Sequence, residues 1–254
     1  MKQNHRIMNC LMVGLLLVSM VLIAKEAAEY VSSQKAAGLI PDLVVIDAGH
    51  GADDGGKVGI NGALEKDINL SIALRVKALL EVQGIDVVMT REDDAGLYPR
   101  TGEQRKLRDM QKRVELINNA RAALTVSIHQ NSYTDERVSG AQTFYMTGSE
   151  DGKRAARILQ EQMITTLQPE KERVEKENGS YYLLKHVDGP IVIAECGFLS
   201  NTKEAELLCN EEYQEKIAWA IHLGIIRYLN SNPVQQPVLE KGMEKIYEMD
   251  QNTD

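Results

Sequence analysis

The chain has 254 residues, three cysteines and a formal net charge of −8. That length supports one or two domains with a real core, and 43% hydrophobic content excludes a disordered chain. The acidic balance excludes nucleic acid as an expected partner, because phosphate contacts need clustered Lys and Arg; three cysteines are too few for a disulfide-framed scaffold.

Residues 1–25 read as a targeting element. Lys2, His5 and Arg6 precede an uncharged run of 18 residues, Ile7–Ala24, close to the roughly 20 that span a hydrocarbon core. A basic end followed by an apolar run marks a secretory signal or an uncleaved signal anchor. Positive charge before the run keeps that end in the cytoplasm and sends the rest outward. Leu22-Ile23-Ala24 lacks a small-x-small cleavage site, which favours the membrane anchor over a cleaved signal. Residues 26–42 read as a linker.

The body then alternates strand and helix. LVVIDA (43–48) is a buried strand by its short apolar run. Residues 66–83 place Ile68, Ile72, Val76 and Leu80 on one helix face, stopped by Gly84. IDVVMT (85–90) is a strand. Asp109 is placed to cap a helix through Ala122. ALTVSIH (123–129) and AQTFYM (141–146) are strands. Residues 150–168 are helical up to Pro169, 170–180 are a charged loop, and IVIAE (191–195) is a strand. Residues 203–208 and 211–230 are helical. The pattern predicts one α/β domain over 43–230: a twisted, mostly parallel or mixed sheet with helices on both faces. Residues 231–254 form a polar C-terminal tail, with a weak helix at 238–249.

Sites in such sheets gather beyond the carboxyl ends of strands. DAGHG brings His50 there, and SIHQNS brings His129. A lone histidine at a strand end is often only a hydrogen-bonded structural residue. Glu65 opens a helix, where an acid is also favoured by the helix dipole. Glu195 ends the apolar run IVIA, and a carboxylate there must be paired, bound to metal or shifted in pKa. Together, two imidazoles and a carboxylate make a common catalytic zinc set, with a second carboxylate to move a proton. The intervals of 15 and 64 residues match no short zinc motif. The residues by themselves reach as far as a zinc hydrolase.

Five segments carry a resemblance further: VVIDAGHGADDGG, GALEKDINLSIALRVKALLE, VVMTREDD, RVELINNARAALTVSIHQNS and IVIAECGFLSN. In order and spacing, across about residues 43–230, the chain resembles the zinc-dependent N-acetylmuramoyl-L-alanine amidases of the amidase 3 family. Its nearest likeness is to the spore-cortex amidases of endospore formers. The resemblance implies a helix-flanked α/β sheet and hydrolysis of the amide between the lactyl group of N-acetylmuramic acid and L-alanine of the peptidoglycan stem peptide. It implies one zinc ion per chain on His50, Glu65 and His129, with Glu195 as the catalytic glutamate. It also implies export, to the membrane or the space of the forespore cortex, and a functional partner deacetylase that follows in making muramic-δ-lactam.

Other residues have secondary readings. Arg91 either pairs within the fold, the favoured role, or guides the anionic stem peptide; Arg113 is read as structural. Gln130 and Asn131 either hold His129 or touch substrate, and His186 faces solvent or the substrate rim. Cys196 and Cys209 are read as inert thiols, with a disulfide between them left open for an exported chain. The competing classes are a zinc-binding wall protein that recruits partners, which would not need Glu195, and a metal-dependent peptidase or deacetylase with other ligand patterns. A weaker form of the first is an amidase that requires a protein activator.

Overall fold

In the computed structural model, residues 12, 14, 16–25, 43–97 and 105–231 are described. Residues 16–25 are helical. Among the described residues, no helix is long and apolar enough to cross a membrane. The start of the expected anchor, the 26–42 linker and the tail beyond residue 231 lie outside the described residues.

The apolar runs become the strands. They are β1 (Leu43–Ala48), β2 (Asp86–Met89), β3 (Leu124–Asn131), β4 (Gln142–Tyr145), the short β5 (Lys176–Glu177) and β6 (Ile191–Phe198). The helices between them are α1 (Glu65–Val82), α2 (Arg105–Ala120), α3 (Glu150–Leu167), α4 (Tyr182–His186), α5 (Thr202–Leu208) and α6 (Glu211–Asn230). One six-stranded sheet results, in the order β2-β1-β3-β6-β4-β5. All neighbours run parallel except β4, which is antiparallel to β6. The α/β class and the mixed, mainly parallel sheet are as the sequence pattern requires.

Strand alternation divides the core. Val44, Ile46, Leu124, Val126, Ile128, Val192 and Ala194 face one side, where α1, α3 and α6 cover them. Val45, Ile191 and Ile193 face the other, against α2 and α4. Helix ends follow their sequence signals. Gly84 takes a positive φ of 74° just past α1, and Ser149, Asn201 and Asn210 accept main-chain N–H bonds as N-caps of α3, α5 and α6.

Three expectations need correction. Asp109 does not cap α2: the helix begins at Arg105, and Asp109 is buried inside it against Arg113. Capping propensity lost here to a buried ion pair. The loop at 170–180 contains β5, and α4 follows it; both are too short to show periodicity. β6 runs through Gly197 to Phe198 rather than stopping at Glu195.

Candidate active site

The residues facing α2 and α4 turn from apolar to polar toward the carboxyl ends of β1 and β6, and are polar along β3. On β6 the series is Ile191, Ile193, Glu195; on β3 it is Thr125, Ser127, His129. His129 and Glu195 are register partners across the parallel β3–β6 ladder. His50 follows the end of β1, and Glu65 starts α1. These four side chains line a cleft of about 450 Å³, with Lys57, Lys106, Met110, Gln130, Asn131, Ser132, Tyr181, Tyr182, Leu183 and Ile193 around them.

Local sequence makes this approach possible. A Cβ at Gly49 would lie 2.3–2.7 Å from the His129 ring, so only glycine lets the two segments meet. His50 itself holds a left-handed φ of 62°, which costs a non-glycine residue roughly 1–3 kcal/mol and gathers at functional sites. Its Nδ1 donates to Asp54 Oδ2 at 2.9 Å, and Lys106 Nζ reaches the same oxygen at 3.1 Å. That leaves His50 Nε2 facing Glu65 Oε2 at 3.3 Å.

Glu65 is 2% exposed and tied on both oxygens. Oε2 accepts from the Lys57 N–H at 2.8 Å; Oε1 accepts from the Gln130 N–H at 3.1 Å and lies 3.0 Å from His129 Nδ1. Burial pushes its carboxyl up, but His129 and His50 outweigh burial and hold it well below the usual carboxylate range. Burial opposes protonation of His50, yet Asp54 and Glu65 raise the imidazole to about 9.

One ligand atom from each of His50, Glu65 and His129 lies within 4.8 Å of the others. Donors about 2.0–2.1 Å from a tetrahedral ion stand roughly 3.3 Å apart, and two imidazoles with one carboxylate are a donor set that suits zinc. The residues present therefore fit a divalent cation. Glu195 stands apart from them in character. It is 8% exposed, and its Oε2 accepts no hydrogen bond among the described residues. Burial pushes its carboxyl up to about 7, with His129 and His50 opposing and Glu65 reinforcing.

Residues 44–227 match the model of a family, Amidase_3, described as N-acetylmuramoyl-L-alanine amidase. The chain belongs to this amidase family. It is 40% identical over 189 residues to a germination-specific N-acetylmuramoyl-L-alanine amidase of Bacillus subtilis, a match covering 73% of this chain and 79% of that one. It also superposes on the CwlD amidase of Clostridioides difficile, solved in complex with the GerS lipoprotein. That likeness has a TM-score of 0.73 and 41% identity, over 75% of this chain and all of that one. An N-acetylmuramoyl-L-alanine amidase structure from Clostridium difficile 630 gives a TM-score of 0.68 at 31% identity, covering 76% of this chain and 98% of that one. This enzyme is thus an N-acetylmuramoyl-L-alanine amidase, and its substrate is peptidoglycan, which places its work outside the cytoplasm.

The remaining residues of the amidase separate clearly. Arg91 is 5% exposed and, among the described residues, donates only to main-chain oxygens, those of Ala48, Asp93, Gly49 and Lys66. Of its two readings, geometry supports the structural one. Gln130 is buried, donating to Asn69 Oδ1 at 3.1 Å, while Asn131 lies on the cleft wall with its side chain turned to the Ser132 N–H. His186 is exposed, lies outside the cleft lining and stacks on Tyr182. Cys196 and Cys209 are both free thiols, the first buried and the second exposed. Sequence reasoning passed over Asp54 and Tyr181. The His50-to-Asp54 spacing in GHGADD was the available signal for the first; the second sits in the short α4 region, where no periodic signal exists.

Proposed function

We propose that His50, Glu65 and His129 hold one zinc ion and that Glu195 moves the proton in hydrolysis of the amide between the lactyl group of N-acetylmuramic acid and L-alanine. A zinc ion held there supplies Lewis acidity toward water and the amide carbonyl. Binding displaces the proton that the carboxylates favour on His50, so metal affinity falls at low pH. Glu195 Oε2 has no partner among the described residues, and its carboxyl is poised near neutrality, the condition for efficient general acid–base work. It accepts a proton from attacking water and delivers one to the alanine nitrogen as the C–N bond breaks. The observation that carries this reading is the orphaned, buried Oε2 of Glu195 beside three converging ligand atoms. Gln130 and Asn131 belong to the wall that receives substrate; His186 acts there only through Tyr182.

The likeness to a germination-specific amidase supports a role in spore cortex, where removal of stem peptides prepares muramic acid for a partner deacetylase and δ-lactam formation. The relative solved in complex with a lipoprotein supports a protein partner for this enzyme; activation is the role we assign to it. The basic-then-apolar start supports export, with the run of residues 7–24 as signal or anchor.

The test uses the full chain and His129→Ala, with bound metal counted by elemental analysis and peptidoglycan digests read by mass spectrometry. One zinc per chain and free stem peptides beginning with L-alanine are expected from the wild type, and neither from the variant. A variant that still holds one zinc removes His129 from the ligand set. Cortex from a strain lacking the protein is expected to contain no muramic-δ-lactam; normal lactam content would remove the spore role.

A further inference from the structure

The turn that carries His50 is held from beneath by two buried guanidinium groups. Arg91, just past β2, donates from Nε to the Ala48 carbonyl and from a terminal nitrogen to the Gly49 carbonyl, each at 3.0 Å. Arg113, from α2, donates from one terminal nitrogen to the Ala48 carbonyl at 2.8 Å and from the other to the His50 carbonyl at 2.5 Å. Three successive carbonyls of one turn therefore end on two side chains that are 5% and 2% exposed. Asn69 adds a bond to the Gly49 carbonyl at 3.1 Å. A Cβ at Gly51 would meet the Arg91 side chain at 2.9 Å, so the chain also gives way on the far side of His50 to admit the guanidinium. β1 ends at Ala48, so the bonds to the Gly49 and His50 carbonyls lie beyond the strand. They serve a residue in the left-handed region, which persists only where its surroundings over-determine it.

We propose that Arg91 and Arg113 are positioning residues for metal binding, fixing the Ala48-Gly49-His50 main chain so that the His50 imidazole already faces the ion's place before the ion arrives. The proposal rests on the reading of His50 as a ligand. It accounts for the use of arginine, because a planar fork bonds two carbonyls at once and an ammonium does not reproduce that geometry. Outer partners that orient a ligand change metal affinity about ten- to a hundredfold when lost.

Zinc affinity of the full chain is measured by competition with a chromogenic chelator, alongside circular dichroism and thermal melting. Arg91→Lys and Arg113→Lys keep the charge and lose the fork; each is expected to remain folded at the assay temperature and to weaken zinc binding about ten- to a hundredfold. Ser127→Ala is the stability control. It removes the hydroxyl that donates to Asp47 Oδ2 in the same buried network without touching the turn, so it lowers the melting temperature and leaves zinc affinity unchanged. Among the described residues Arg91 bonds to no carboxylate, so Arg91→Lys decides alone where Arg113→Lys fails to fold. A folded Arg91→Lys with wild-type zinc affinity overturns the proposal. So does a loss of affinity in Ser127→Ala as large as in the arginine variants, since stability would then explain both. His50→Ala separates the two levels. If it binds zinc like the wild type, the ligand reading falls; if it loses zinc while the arginine variants keep it, only the positioning role falls.

Discussion

Asp47 and Glu195 are both carboxylates near the ends of buried strands, on the same face of one sheet, yet they live under opposite rules. Asp47 is completely buried, and both of its oxygens are occupied: Thr90 and Arg113 on Oδ1, Ser127 on Oδ2. Burial alone would raise its pKa, but Arg113 and the two hydroxyls bring it down to about 2. Glu195 has no such company on Oε2, and burial wins, lifting it to about 7. Burial is therefore not what sets the two apart. The difference is burial left uncompensated, at the wall of a cleft.

The largest expected way to break the contrast is Glu195→Gln. Amidase turnover on peptidoglycan is expected to fall about 10²- to 10⁴-fold, with the zinc content of the purified chain unchanged; near-normal turnover would put the proton on another group. Asp47→Asn should act on stability instead. It strips a buried guanidinium of one counter-charge, a change that costs about 3 kcal/mol or more, to be read as a lower urea midpoint with unchanged slope. An unmoved midpoint would mean Asp109 alone satisfies Arg113.

The pH dependence should then carry opposite signs. For Asp47 the folded pKa of about 2 lies below the unfolded value. Its contribution, about 3 kcal/mol, is full above the unfolded pKa of about 3.9 and is lost as pH falls toward 2. For Glu195 the folded pKa of about 7 lies above the unfolded value, so in chelator-treated protein stability declines as pH rises from about 4 through 7. Urea titrations of wild type, Asp47→Asn and Glu195→Gln from about pH 2 to 7 should show each contribution to the slope disappear in its own variant. Smallest of all, His186→Ala should leave turnover nearly unchanged, because its ring lies on Tyr182 outside the cleft lining. A loss as large as tenfold would bring His186 to the substrate.

Much of this contrast was legible in the residues. β1, β3 and β6 announce themselves as apolar runs, and the polar residues that end them stand out because water and core both reject an unpaired charge there. What sequence hides is pairing between distant segments. Asp109 resembles a helix cap until Arg113 is seen to need it, and Arg91, read as pairing within the fold, could not be given its partners, the carbonyls of Ala48, Gly49, Lys66 and Asp93. Asp54 was within sight, four residues after His50, but its value depends on a turn whose left-handed backbone no periodicity reveals. Five residues of α4 and two of β5 are simply too few to write a pattern.

The strand order has a consequence for how the enzyme comes to life. Among the described residues β6 is the last strand, yet it lies between β3 and β4, both of which precede it. It must enter a slot whose two walls are already synthesised. A chain made from its amino end therefore carries His50, Glu65 and His129 well before it carries Glu195, and pairing partners so far apart in sequence form late. The cleft that these four side chains line is complete only once β6 has entered its slot.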